Sequence, residues 1–87
     1  MGKPLPYRPV FSDLAAEFLI ALPKRRQRQL MQRAREVAAH PFFTSDYTEQ
    51  DTDGRAIEHL VTEDFVFAYW IDHGTRSVFI TEISDAR

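Results

Sequence analysis

Three short runs of β-branched and aromatic residues, joined by two turns, fill the last third of the chain. They are residues 55–61, 65–71 and 77–83, and polar segments at 62–64 and 72–75 separate them. Runs of this length and composition, interrupted by Asp, Gly and Thr, predict a three-stranded antiparallel meander. Because side chains alternate along each strand, the meander also determines which residues can lie on an open face of the sheet.

Two consecutive helices are predicted before the meander. Ser12 is a good N-cap for the first helix, Pro23 ends that helix, and the second helix should run to about Ala39. Residues 5–11 are a possible first strand, and its prolines restrict it to a sheet edge because proline has no backbone donor. The apolar stripe of the first helix consists of Leu14, Phe18, Leu19 and Leu22.

The order of these elements predicts an α+β fold in one domain over residues 1–87: an edge strand, a two-helix hairpin and a three-stranded antiparallel meander. We expect the helices to pack on one face of the sheet. Residues 44–54 are polar and acidic, and we expect them to connect the second helix to the meander. The predicted core consists of Leu14, Phe18, Leu22, Leu30, Ala34, Val37, Phe65, Phe67, Tyr69, Val78 and Ile80.

The composition excludes several classes of protein. A chain of 87 residues with 44% hydrophobic residues has enough apolar surface for one modest core, which excludes a disordered protein. The absence of cysteine excludes disulfides and thiolate metal sites. No apolar run has the length of a signal peptide or a membrane span. We therefore expect a soluble, cytoplasmic protein without a metal or other cofactor, a membrane partner or a small-molecule ligand.

Charge is distributed unevenly along the chain. Residues 1–43 hold eight Lys and Arg against three Asp and Glu, a net charge of +5, whereas residues 44–87 hold three against ten, a net charge of −7. A split of this size predicts a basic surface on the second helix that contacts RNA phosphates or an acidic partner, with a merely solvated helix face as the alternative. The predicted binding residues on this helix are Lys24, Arg25, Arg28 and Arg35.

Several local motifs resemble the RelE/ParE superfamily of bacterial type II toxins. The segment Tyr7-x-Pro-x-Phe11-Ser12 leads into the first helix, and Leu19-x-x-Leu22-Pro23 closes it. The meander carries Asp53-Gly54-Arg55, Asp64-Phe65-x-Phe67-x-Tyr69-Trp70-x-Asp72 and Val78-x-Ile80-x-x-Ile83. The resemblance covers nearly the whole chain.

The resemblance implies a small toxin that a cognate antitoxin binds and silences. It also implies one of two targets, because members of the superfamily either cleave messenger RNA on the ribosome or inhibit DNA gyrase. The alternative function is that of a degenerate, non-toxic homologue that serves as a protein-interaction module.

Candidate catalytic residues follow from the same resemblance. Glu58 and His59 occupy the strand where endonuclease relatives place reactive groups, and Arg87 can stand in for an arginine that follows the last strand. Strand alternation allows only one of Glu58 and His59 to face outward. An inward Leu60 leaves His59 outward, which we favour, whereas an inward Ile57 leaves Glu58 outward. An ordinary strand position without a catalytic role is the alternative for either residue.

The following strand carries two more informative positions. Val66 stands where endonuclease relatives commonly have an arginine, so the open face is expected to be apolar at a point where phosphate charge requires neutralisation. Trp70 is expected on the same face, where it stacks against a nucleobase or packs against an antitoxin side chain, the second being favoured.

Overall fold

The computed structural model describes residues 7–42 and 45–86. Its elements are β1 (Arg8–Phe11), α1 (Asp13–Ala21), α2 (Lys24–Ala39), β2 (Tyr47–Gln50), β3 (Ala56–Val61), β4 (Phe65–Asp72) and β5 (Ser77–Asp85). The strands form one sheet in the order β1-β5-β4-β3-β2, in which β1 is parallel to β5 and the other neighbours are antiparallel. The predicted α+β fold, edge strand and helical pair are confirmed.

A fourth antiparallel strand, β2, lies within the segment that was expected to be only a connection. It pairs with β3 from Tyr47 opposite His59 to Gln50 opposite Ala56, and it forms the edge of the sheet opposite β1. All four of its residues are exposed. The antiparallel part of the sheet is therefore a four-stranded meander.

The start of α1 is attached to the sheet through Ser12. Its side chain accepts a hydrogen bond from Ala15 N at 3.1 Å, which is the predicted N-cap, and donates one to Thr81 O at 2.8 Å. Thr81 lies at an irregularity of β5, because Tyr69 pairs with Ile80 while the preceding residue of β4 pairs with Glu82. Such a bulge leaves a backbone group without a ladder partner, and Ser12 satisfies it.

Helix α2 follows α1 directly and covers the same face of the sheet. Pro23 is its N-cap, and Gln27 donates a side-chain hydrogen bond to Leu22 O at 3.0 Å, which fixes the junction of the two helices. The helix buries Leu30, Ala34, Val37 and Ala38. Neither helix in the described part of the chain is long and apolar enough to cross a membrane.

The core lies between the helices and β3, β4 and β5. Phe65 and Phe67 are completely buried and Tyr69 is 3% exposed, so the aromatic side chains of β4 face the helices as predicted. The rings of Phe18 and Phe65 meet edge to face with centroids 6.2 Å apart, which joins α1 to β4.

The prediction that Leu14 belongs to the core is wrong, because 57% of this residue is exposed. Ala15 takes the buried position instead, and the buried side of α1 continues at Phe18, Leu19 and Leu22. These residues follow Ala15 at intervals of three, four and seven, the spacing of one helix face. The cap at Ser12 sets this rotation of the helix and turns Leu14 toward solvent.

Candidate functional site

His59 lies on the open face of the sheet, and Glu58 lies on the face that the helices cover. Paired residues of antiparallel strands share a face, and His59 pairs with Ala68 whereas Glu58 pairs with the buried Tyr69. Leu60 is therefore inward, and the favoured orientation of this strand is confirmed. The catalytic role of either residue stays a prediction.

His59 is held in place by two side chains of the edge strand β2. Its ring stacks on Tyr47 with centroids 4.4 Å apart, and its Nε2 lies 3.9 Å from the Glu49 carboxylate. The side chain is only 13% exposed, and Nδ1 is buried without a hydrogen-bond partner among the described residues. An imidazole with one nitrogen beside a carboxylate is suited to accept or deliver a proton.

Two hollows of about 310 and 170 Å³ adjoin on the open face, and His59 lines both. Glu49, Asp51 and Glu82 contribute carboxylates to the larger hollow. The smaller hollow includes Val66, as expected for an apolar position on this face. Because carboxylates surround the imidazole, an anionic substrate here needs a cation from elsewhere on the sheet.

Arg55 is the basic residue nearest to His59 in the sequence, and it stacks on Trp70. The Arg55 guanidinium carbon lies 4.0 Å from the centre of the Trp70 ring, and Phe79 stacks on the indole with centroids 4.4 Å apart. Arg55 approaches from the β3 side of β4 and Phe79 from the β5 side, so the indole lies between them. A nucleobase stacks on Trp70 only where Arg55 is displaced.

The role of Glu58 in the structure is to fasten the edge of the sheet. Its Oε2 accepts hydrogen bonds of 2.8 Å from Ser45 Oγ and from Thr48 Oγ1. Both donors belong to β2 or the segment just before it, which draws this exposed strand onto β3. Glu58 and His59 thus do not form one site.

The basic residues of α2 lie on the side of the molecule away from His59. Lys24, Arg28 and Arg35 line a hollow of about 380 Å³ beside Leu19 and Met31, on the outer surface of the two helices. Since the helices cover the opposite face of the sheet, the structure does not bring these predicted binding residues together with the open face.

Two other arginines of α2 are ion-paired. Arg26 binds Asp85 and lies over the ring of Phe65, and Arg33 lies 3.1 Å from Glu36. These hydrogen bonds to carboxylates raise the pKa of both guanidinium groups. Arg26 and Arg33 therefore serve the fold.

Two further predicted site residues are placed differently. Arg25 is exposed on α2 and lines a separate hollow with Asp64 and Asp85. Arg87 lies outside the described residues. Within residues 7–42 and 45–86, no group of three or more His, Asp and Glu side chains is placed to hold a metal ion.

Sequence reasoning missed Tyr47, Glu49, Arg55 and Glu82 as neighbours of the site. Arg55 had a usable signal, because residues 55, 57 and 59 share one face of an extended segment. The structure places His59 on the open face by its pairing and Arg55 there by its stacking on Trp70. Tyr47 and Glu49 had none, because the strand that carries them was not predicted.

Comparisons with known proteins give a consistent result at the level of the fold. No family model matches the chain, and no curated protein matches it by sequence. Solved structures similar to it include the toxin–antitoxin complex RelBE2 from Mycobacterium tuberculosis, at 19% identity and a TM-score of 0.76 over 95% of this chain and 94% of that one.

Two further similar structures are toxin–antitoxin or RelE–RelB complexes. The archaeal RelE–RelB complex from Pyrococcus horikoshii is 15% identical, with a TM-score of 0.68 over 93% of this chain and 96% of that one. The intact Escherichia coli RelBE complex is 16% identical, with a TM-score of 0.67 over 93% and 98%. The two helices on a five-stranded mixed sheet are thus the fold of the RelE toxins.

Proposed function

We propose that this chain is the toxin of a type II toxin–antitoxin pair, which arrests growth unless its cognate antitoxin binds it. The observation that carries the proposal is the agreement in fold, over more than nine-tenths of both chains, with toxin–antitoxin complexes. The open face and the outer surface of the helices both leave room for a protein partner.

Growth assays test this proposal directly. Expression of the chain alone should arrest bacterial growth, and co-expression of the product of the neighbouring gene should relieve the arrest and give a complex that co-purifies. Normal growth together with the absence of a complex contradicts the proposal and favours a degenerate homologue.

The placement of His59 on the open face supports cleavage of messenger RNA on the cytoplasmic ribosome as the activity of this toxin. Cleavage of this kind requires a base for the 2′-hydroxyl and an acid for the leaving oxygen. His59 offers an imidazole whose Nε2 lies 3.9 Å from the Glu49 carboxylate. Among the described residues, Arg55 offers a guanidinium to a phosphate from its position over Trp70 on this face.

Mapping of RNA ends after induction separates this activity from inhibition of gyrase. Wild-type protein should produce new transcript ends, and His59→Gln should lower their yield by about a hundredfold or more. Glu58→Gln is the matched control, because its side chain lies on the other face of the same strand. It should retain cleavage within about threefold of wild type. Intact transcripts with altered DNA supercoiling during arrest instead identify gyrase as the target.

A further inference from the structure

A half-enclosed hollow lies between the C-terminal half of α2 and strand β3, on the face of the sheet opposite His59. Its volume is about 150 Å³, and most of its lining is apolar. Leu60, Thr62 and Tyr69 line it from the side of the sheet. Because α2 packs on β1 and β5, its C-terminal half leaves this space beside β3 open. We refer to the hollow as the α2–β3 cavity.

One face of α2 forms the helix side of the α2–β3 cavity. Its residues here are Arg33, Glu36, Val37 and His40, which are spaced as residues on one helix face are. Val37 is buried and gives an apolar wall, whereas Glu36 and His40 are exposed at the rim. The Arg33 guanidinium lies 3.1 Å from the Glu36 carboxylate and 3.9 Å from that of Asp64. This cation is therefore already paired and offers little to an anionic ligand.

Tyr69 contributes a hydrogen-bond donor without a partner. It is 3% exposed and lines the cavity, and its hydroxyl forms no hydrogen bond with any other residue that the structure describes. The Thr62 hydroxyl, by contrast, donates to Phe65 O at 2.8 Å and accepts from Phe65 N at 3.0 Å. A buried hydroxyl without a partner is unfavourable. A ligand that supplies an acceptor to Tyr69 removes this cost.

The Tyr69 hydroxyl keeps its proton at neutral pH. Burial, assisted by the charges of Glu58 and Asp46, raises its pKa above the ordinary value of 10.0. The hydroxyl is therefore available as a donor, and the same two carboxylates disfavour an anion beside it. The charges on both sides of the cavity thus favour a neutral ligand.

The volume of the cavity limits the ligand to one ring. An apolar cavity of about 150 Å³ in a protein accommodates benzene. We infer that the α2–β3 cavity binds a small neutral aromatic compound of the size of phenol. Its oxygen accepts a hydrogen bond from the Tyr69 hydroxyl, and its ring packs between Val37 and Leu60. The inference does not depend on the proposed function, since neither an antitoxin nor His59 takes part.

Titration of the isotope-labelled full chain with phenol and with toluene, followed by NMR, tests the inference. The two compounds have the same shape, but only phenol carries an oxygen. Phenol should cause saturable shifts at Val37, Leu60 and Tyr69. Tyr69→Phe should weaken phenol about tenfold and bind toluene at least as tightly as wild type does, because it removes only the donor. Equal effects on both compounds, or no saturable shift at millimolar phenol, overturn the inference.

Leu60→Phe tests the position of the site independently. The larger ring fills the cavity, so phenol should bind at least tenfold more weakly. Val61→Phe is the matched control, because Val61 lies on the other face of the same strand, and it should bind phenol within about threefold of wild type. The Tm of Leu60→Phe, measured alongside, shows whether the variant is folded. Equal affinities of a folded Leu60→Phe and Val61→Phe contradict the site.

A side chain of a partner protein is the other possible occupant, and it gives a different result. If phenol does not bind, and Leu60→Phe weakens binding of the product of the neighbouring gene, the cavity belongs to a protein interface and the inference is overturned. Growth arrest and its relief by that product test only the proposed function. Failure of the cavity to bind phenol therefore leaves the proposed function intact.

Discussion

The Ser12 side chain joins the first turn of α1 to Thr81, whose carbonyl oxygen accepts its hydrogen bond at 2.8 Å. The backbone reinforces this connection, because Ser12 N donates to Ile80 O at 3.0 Å. The same hydroxyl oxygen accepts from Ala15 N. Ser12 therefore fixes the rotation of α1 and provides a hydrogen-bond donor for the Thr81 carbonyl at the bulge of β5.

Ser12→Ala should lower the free energy of unfolding by about 1–3 kcal/mol, because it removes the cap and leaves the Thr81 carbonyl without its donor. Ser12→Thr keeps the hydroxyl and should stay within about 0.5 kcal/mol of wild type. Urea denaturation of the three proteins measures the difference. A Ser12→Ala variant as stable as Ser12→Thr contradicts the dual role of this hydroxyl.

Truncation of Leu14 and truncation of Leu30 should have different effects on stability. Leu30→Ala should cost about 2–5 kcal/mol, because Leu30 is completely buried and its truncation leaves a cavity. Leu14→Ala makes the same chemical change at a residue that is 57% exposed and should cost about 0.5 kcal/mol or less. Thermal and urea unfolding of both variants measure this contrast, and losses of similar size place Leu14 in the core after all.

Sequence periodicity predicted the helices and the inward residues of β4, and it failed where the signal was weak. Alanine is a poor marker of a buried face, so a stripe beginning at Leu14 looked more apolar than the true one beginning at Ala15. Strand β2 escaped prediction because Tyr47–Gln50 is exposed on both sides and shows no alternation. Its pairing depends on contacts with β3, including the hydrogen bonds to Glu58, that a local pattern does not contain.

The candidate site was predictable only in part for the same reason. The identity of His59 came from the sequence, but its orientation required the register of β3 on β4. A shift of one residue exchanges His59 and Glu58 between the two faces. Arg55, Trp70 and Phe79, which stack on one another, come from three different segments of the chain. Their spacing in the sequence therefore does not predict the stack.

The buried hydroxyl of Tyr69 should cause a loss of stability at alkaline pH. Burial, assisted by the charges of Glu58 and Asp46, raises its pKa above the ordinary value of 10.0. The unfolded chain therefore loses this proton at a lower pH than the folded chain does. The contribution of Tyr69 to the free energy of unfolding is therefore complete below pH 10. It falls as the pH rises from 10 toward the folded pKa, by at most about 1.4 kcal/mol per pH unit.

Tyr69→Phe should accordingly flatten the decline of stability between pH 9 and pH 11. Tyr47→Phe is the control, because it removes a hydroxyl from an exposed ring on the other face and leaves Tyr69 in place. Urea unfolding at each pH gives the slopes. Parallel slopes for wild type and Tyr69→Phe contradict a raised pKa in the folded state.

The stack of Arg55 on Trp70 predicts a measurable change in fluorescence, since Trp70 is the one tryptophan of the sequence. Arg55→Ala uncovers one face of the indole, so its emission should shift to longer wavelength and acrylamide should quench it more. Arg28→Ala removes a guanidinium from the opposite side of the molecule and should leave emission unchanged.

The same pair should show energetic coupling. In a double-mutant cycle of Arg55→Ala with Trp70→Leu, the coupling of the cation with this half-buried ring should be about 0.5–1 kcal/mol. Zero coupling together with unchanged emission of Arg55→Ala indicates that Arg55 lies away from the indole in solution. Trp70 then presents a free face, and stacking of a nucleobase on it becomes available to the open side of the sheet.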